Sequence, residues 1–250
     1  MAQESGLSFG HTADYTFIES AFKARLAPFS ELASELRAFV PKSIADFADY
    51  RSAELVRLQG LNPTSSEESL LQLIDEQIRA NADPGLQVYL NFSDRIMAEY
   101  VTVAFLAHAL AESAINFILA VELTTAGAEE VFPLLERADI KDKWLAGPKA
   151  FHPTYNLVKA SALYQTLQHL SRQRNAFMHY KVELEMGGEK KLAGSRLDRA
   201  PLDTQIAWIR RFFSLPYDLV FHARTQVPQL VGFILYDSNP IQRFPGHAVA

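Results

Sequence analysis

The longest apolar stretch of the chain, residues 93–123, sets the strongest limit on the fold. It has helix-forming composition and is apolar on almost every side, a pattern typical of a helix buried among others. Its middle part, residues 101–121, is long enough to span a membrane, but it contains His108, Glu112 and Asn116. Such polar groups are costly in lipid. The stretch therefore predicts the central helix of a soluble protein with no membrane partner.

The three polar residues of this helix are arranged in a regular way. His108, Glu112 and Asn116 are spaced i, i+4, i+8, so they share one stripe of the helix surface. The stripe has two interpretations. It is either a hydrogen-bonded network that fixes the packing of the core, or a polar wall that faces a binding site. The spacing alone leaves both open.

Cysteine content and the first residues bear on the compartment. The chain has no cysteine, which excludes disulfide bonds and cysteine-based zinc sites. The first six residues lack the basic region and apolar core of a secretory signal. Both features favour a cytoplasmic protein.

Charge is distributed unevenly along the chain. Residues 172–211 contain nine Lys or Arg against five Asp or Glu, a net charge of +4, whereas the whole chain carries -5. The rest of the chain therefore carries -9. The acidic total disfavours non-specific coating of nucleic acid. The basic region is consistent with a local anionic ligand, or with a solvated face of mixed charge.

Helical periodicity on both sides of the central stretch predicts an all-α fold. We predict two parts: residues 1–90 as an N-terminal helical extension packed on the core, and residues 91–250 as a helical domain with a C-terminal tail. Apolar and charged residues alternate beside a Gly-Gly pair, which predicts one small β-hairpin near residues 181–197. A loop is expected at Gly147-Pro148, followed by a long helix over residues 155–180.

The C-terminal end of that helix carries the residues best suited to chemistry. The chain lacks the glycine-rich phosphate loops and the nucleophile elbow of known enzyme classes. It has instead the sequence Arg174-Asn175-x3-His179. Asn175 and His179 share a helical face, whereas Arg174 lies about 140° from His179. This offset suggests a composite site. Taken singly, the same residues also fit a surface ion pair and a helix-terminal histidine.

This motif resembles the Arg-x(4–6)-His motif of the HEPN domain superfamily (higher eukaryote and prokaryote nucleotide-binding). Arg172 also satisfies the loose spacing, but Asn follows Arg174. The polar stripe of the earlier helix and the segment Asp142-Lys143-Trp144 add to the resemblance, which covers residues 93–221. It implies a HEPN-like helical bundle that forms a homodimer and brings two motifs into one cleft.

Many members of the superfamily are metal-independent endoribonucleases, some of them toxins or defence effectors. The resemblance implies that His179 is the general acid or base and that Arg174 holds the phosphate. Asn175 would orient the histidine or the phosphate, and Glu112 would tune the histidine or position the 2′-hydroxyl. The expected substrate-binding residues are Arg172, Tyr180, Lys181, His108 and Asn116. No metal or cofactor is expected.

The expected ligand is RNA or a nucleotide, and the resemblance also implies an antitoxin or a nucleotidyltransferase as a protein partner. Some members of the superfamily have lost catalysis. A non-catalytic module that binds a nucleotide or a protein is therefore the alternative function. A helical scaffold without any site is a third interpretation, and it predicts that changes at Arg174 and His179 affect stability alone.

Overall fold

A computed structural model describes residues 10–38, 41–81, 84–178 and 202–227 of the 250-residue chain. Within these ranges the chain forms α-helices and turns without any strand, and the predicted all-α fold is confirmed. The helices are α1 (Gly10–Ala24), α2 (Leu26–Ala38), α3 (Pro41–Leu61), α4 (Glu67–Asn81), α5 (Pro84–Ala126), α6 (Phe132–Glu136), α7 (Ile140–Phe151), α8 (Ala162–Met178) and α9 (Leu202–Gln226), with a 3-10 turn at Glu129–Val131. The predicted hairpin near residues 181–197 lies outside the described residues.

The long helix α5 forms the centre of the bundle. It starts at Pro84, earlier than the predicted residue 93, and its 43 residues extend over about 65 Å. Val103, Ala107, Leu110 and Ala114 on this helix are fully buried. Helix α9 makes the most extensive contact with α5, and α1, α7 and α8 pack on its other sides. The prediction of a long buried helix is confirmed.

Part of α5 has the composition of a membrane span. Among the described residues, Asn91–Ala126 is the one helical stretch long and apolar enough to cross a membrane, and 56% of its apolar window is buried by the rest of the protein. Burial by neighbouring helices gives the apolar side chains of α5 the environment that lipid would otherwise supply. The helix therefore has the character of a core helix in a soluble helical protein.

The first two helices pack against α5 and α9 and share their core. The ring of Phe22 in α1 lies 5.0 Å from the ring of Phe213 in α9. At the junction of α1 and α2, Arg25 binds both carboxylate oxygens of Glu99 on α5, and Glu99 is buried. The predicted boundary at residues 90 and 91 falls inside the continuous helix α5.

Helices α3 and α4 form a hairpin that packs on α5. The turn between them ends at Ser66, whose Oγ accepts a hydrogen bond from the Ser69 amide at 3.2 Å. This N-cap satisfies one of the free amides at the start of α4. Across the hairpin, Arg51 binds both oxygens of Asp75 at 3.0 and 2.9 Å.

The prediction of a loop at Gly147-Pro148 is wrong, because α7 continues through both residues to Phe151. A proline four residues after Trp144 removes the amide that would bond the Trp144 carbonyl. The hydroxyl of Tyr155 donates to that carbonyl instead, at 2.8 Å. Tyr155 thus belongs to the connection after α7, and α8 starts at Ala162 rather than at the predicted residue 155.

Candidate functional site

The polar stripe of α5 lies at the edge of the core. His108 is buried, with 8% of its surface exposed, whereas Glu112 and Asn116 are half-buried. Nδ1 of His108 lies 3.7 Å from Oε2 of Glu112. The Oδ1 atom of Asn116 is buried and has no hydrogen-bond partner among the described residues. A buried acceptor without a partner is energetically costly and is therefore unusual in a packed core.

A buried lysine on α7 completes the stripe. Lys143 is 3% exposed, and its Nζ donates to Oε1 of Glu112 at 2.9 Å and to the carbonyl of Glu136 at 2.6 Å. Lys143 is not among the site residues that the sequence predicts. Its spacing in the sequence could have indicated that it is buried, because Ile140, Lys143 and Trp144 occupy the i, i+3, i+4 positions of one buried face.

Two contacts fix α7 against α5, and a cap at the start of α7 also helps to place Lys143. The indole Nε1 of Trp144 donates to the carbonyl of Ala111 at 3.1 Å. Gly147 lets the helices approach closely, since a Cβ at this position would lie 2.8 Å from Cδ2 of Leu119. Asp139 caps the start of α7 by accepting a hydrogen bond from the Lys141 amide at 2.8 Å.

The motif residues on α8 differ in exposure. Arg174 is half-buried, whereas Arg172 and Asn175 are exposed. Nη1 of Arg174 donates to Oδ1 of Asn175 at 3.1 Å, so the amide oxygen of Asn175 is directed to the arginine. The other expected motif residues, which are His179, Tyr180 and Lys181, lie outside the described residues.

An aromatic cluster fixes α8 relative to α5 and α9. The ring of His169 stacks on Trp208 at 3.8 Å, and its Nε2 is hydrogen-bonded to the hydroxyl of Tyr100 at 3.0 Å. Phe177, near the end of α8, packs against Phe105 with ring centroids 6.0 Å apart. These contacts hold the turn of α8 that carries Arg174 beside the middle of α5.

Electrostatic effects link the motif arginine to the stripe. Burial lowers the pKa of His108, because the protonated ring would lose its hydration. The carboxylate of Glu112 opposes this effect, and the charge of Arg174 lowers the pKa further. Asp139 and Lys143 make smaller contributions of opposite sign. We define His108, Glu112, Asp139, Lys143 and Arg174 as the polar cluster.

The polar cluster contains side chains that can bind an anionic ligand or accept a proton from it. Arg174 offers a planar set of donors that matches a phosphate, and the neutral ring of His108 can accept a proton. The carboxylate of Glu112 is bound by Lys143 on one side and faces His108 on the other. In the described residues, no group of three or more His, Cys, Asp or Glu side chains is suited to hold a metal ion.

A separate groove of about 610 Å³ lies between α8 and α9. Its polar lining includes Arg211, Asp218 and His222, and none of the expected site residues that the structure describes contributes to it. Burial raises the pKa of Asp218, although the hydroxyl of Ser214 donates to the carboxylate and opposes the shift.

Comparisons of the chain with protein-family models, with curated proteins and with solved structures give no match. The resemblance to the HEPN superfamily therefore rests on the residues of the chain itself.

Proposed function

We propose that the polar cluster binds a phosphate of RNA and that the protein is a HEPN-type, metal-independent endoribonuclease. In this proposal the protein acts in the cytoplasm as a homodimer, in the role of a toxin or a defence effector, and an antitoxin or a nucleotidyltransferase is its expected protein partner. The two motifs of the dimer would line one cleft, which would accommodate the angular offset that the sequence spacing predicts between Arg174 and His179.

One relationship carries the proposal: Arg174 on α8 lies close enough to His108 on α5 for its positive charge to lower the pKa of that histidine. The two residues are 66 positions apart in the sequence and lie on different helices. Their meeting in one cluster supports a site built from both. Asn116, one helical turn beyond Glu112 on the same stripe, stays an expected substrate-binding residue of this site.

The reaction follows from the chemistry of RNA. The 2′-hydroxyl loses its proton to a base and its oxygen bonds to the adjacent phosphorus. The bond from phosphorus to the 5′-oxygen breaks, and that oxygen takes up a proton. The products are a 2′,3′-cyclic phosphate and a 5′-hydroxyl. His179 would transfer the protons, and Arg174 would stabilise the charge on the phosphoryl oxygens.

One observation favours the alternative, a non-catalytic module that binds a nucleotide or a protein. The carboxylate of Glu112 is already paired with Lys143 within the chain, and His108 is largely buried. An internally satisfied cluster of this kind also fits a polar network that holds three helices together. In this alternative Arg174 contributes to binding and no bond is cleaved.

Incubation of the purified protein with defined single-stranded and structured RNAs separates the two functions. The catalytic function predicts fragments that end in a 2′,3′-cyclic phosphate, formed equally well with EDTA present. Arg174→Ala and His179→Ala should each remove the activity, whereas Arg224→Ala, an exposed arginine on α9, should retain it. RNA with 2′-deoxy residues should remain intact. Binding without cleavage of any RNA class would establish the alternative and contradict the catalytic proposal.

A further inference from the structure

The two carboxylate oxygens of Glu112 have different neighbours. Oε1 lies 2.9 Å from Nζ of Lys143 on α7, and Oε2 lies 3.7 Å from Nδ1 of His108 on α5. The carboxylate therefore lies between a cation that holds it and a histidine that it faces. Because Lys143 holds Oε1, Oε2 is the oxygen that faces the ring.

The position of Lys143 needs an explanation beyond packing. Its side chain is 1% exposed, on the face of α7 that otherwise carries Ile140 and Trp144. Removing an ammonium group from water is costly, and apolar residues of similar volume often serve stability as well or better. A second hydrogen bond, to the carbonyl of Glu136 at 2.6 Å, anchors the ammonium group on the backbone at the end of α6. Lys143 is thus held by the backbone, and it in turn holds Glu112.

We propose that Lys143 is a positioning residue: it holds Oε1 of Glu112, directs Oε2 towards Nδ1 of His108, and thereby leaves Nε2 of His108 as the ring nitrogen that contacts the ligand. A carboxylate facing Nδ1 at 3.7 Å favours the tautomer with its proton on Nδ1, because the negative charge attracts the N–H dipole. The role of Nε2 rests on the function proposed above. The arrangement of Lys143, Glu112 and His108 does not depend on it.

The charges around His108 make the proposal testable. The ring faces Glu112 on its own helix, Asp139 and Lys143 from α7, and Arg174 from α8. Apart from burial, which lowers the pKa of His108 most, the attraction of Glu112 for the protonated ring is larger than the repulsion from Lys143. If Lys143 were only a nearby cation, its removal would raise the pKa of His108. If Lys143 holds Glu112 in place, its removal also releases Glu112, and the pKa falls.

The experiment is a titration by NMR of the full-length protein, in which the ring nitrogens of His108 report both the tautomer and the pKa. The signal is assigned with His108→Gln. We expect the wild-type ring to carry its proton on Nδ1. Lys143→Met and Glu112→Gln should both reduce the share of that tautomer and lower the pKa of His108. Lys143→Arg, which keeps a cation next to Glu112, should retain the wild-type tautomer. Lys149→Met, an exposed lysine on the same helix, is the matched control and should change neither property.

The opposite result overturns the proposal: a higher pKa and an unchanged tautomer in Lys143→Met would make Lys143 a neighbouring charge without a positioning role. If Lys143→Met does not fold, the test rests on Glu112→Gln. An unchanged tautomer of His108 in that variant would also contradict the proposal. The titration needs no RNA. If the wild type and the variants show the expected tautomers of His108 but no RNA is cleaved, the proposed function is contradicted. The positioning role of Lys143 is then still supported.

Discussion

The hydroxyl of Tyr155 donates a 2.8 Å hydrogen bond to the carbonyl of Trp144, the one carbonyl of α7 that Pro148 leaves without its helical partner. Both side chains are fully buried. This bond lets α7 continue through a proline and joins the helix to the connection that leads to α8. It therefore contributes to the placement of Lys143 and Arg174 on the two helices.

Tyr155→Phe tests this contact, because it removes the hydroxyl and leaves the ring in place. The Trp144 carbonyl would then be buried without a partner, which costs about 1–3 kcal/mol of unfolding free energy. Urea denaturation followed by circular dichroism measures the loss. Tyr50→Phe, at an exposed tyrosine of α3, is the control and should have little effect. Equal stabilities of the two variants would show that the bond to Trp144 does not matter for the fold.

The ion pair between Arg25 and Glu99 provides a test of how firmly the N-terminal helices are attached. Nε of Arg25 lies 3.2 Å from Oε2 of Glu99, and Glu99 is 8% exposed. Arg25→Met keeps the apolar stem but leaves the carboxylate buried without its cation. We expect a loss of about 1.5–3 kcal/mol in unfolding free energy.

Arg57→Met, which breaks an exposed pair with Glu54 on α3, is the matched control for that experiment. It should leave the urea midpoint nearly unchanged, since exposed pairs contribute little. The measurement should also show a single transition if α1 and α2 unfold together with α5. A loss confined to a separate early transition would contradict a shared core.

The stability of the protein should depend on pH through His108. Burial lowers the pKa of this residue below its ordinary value of 6.5, despite the opposing carboxylate of Glu112. The unfolded chain therefore takes up a proton as the pH falls below about 6.5, while the folded protein does not. The stabilising contribution is present above the unfolded pKa and is lost as the pH falls towards the folded pKa. Urea denaturation at several pH values should show a shallower dependence for His108→Gln, and an unchanged slope would contradict the assignment.

Asp218, in the groove between α8 and α9, should change the pH dependence of stability in the direction opposite to His108. Burial raises the pKa of Asp218 against the hydrogen bond from Ser214, so the folded protein holds this proton more strongly than the unfolded chain does. Stability associated with the protonated form is present below the unfolded pKa and is lost as the pH rises through the folded pKa. Asp218→Asn should therefore raise the melting temperature near pH 7 and have less effect near pH 3. Asp49→Asn, at an exposed position on α3, should change little at either pH.

The sequence was sufficient to predict the features that depend on local patterns. The apolar stretch around α5 predicted a buried central helix. The role of Lys143 was not predictable in the same way, because its partners Glu112 and the Glu136 carbonyl belong to other helices. The passage of α7 through Pro148 also depends on a residue outside the helix, Tyr155.

The most direct test of the account is the binding of a labelled, uncleavable RNA strand by fluorescence polarisation. Wild-type protein should bind it, and Arg174→Ala should weaken binding about tenfold or more, as expected for the loss of one charge-assisted phosphate contact. The slope of log affinity against log salt should fall by about 0.7 in that variant. Arg224→Ala should bind as the wild type does. Equal affinities of Arg174→Ala and Arg224→Ala, or no binding by the wild type, would contradict a phosphate site at the polar cluster.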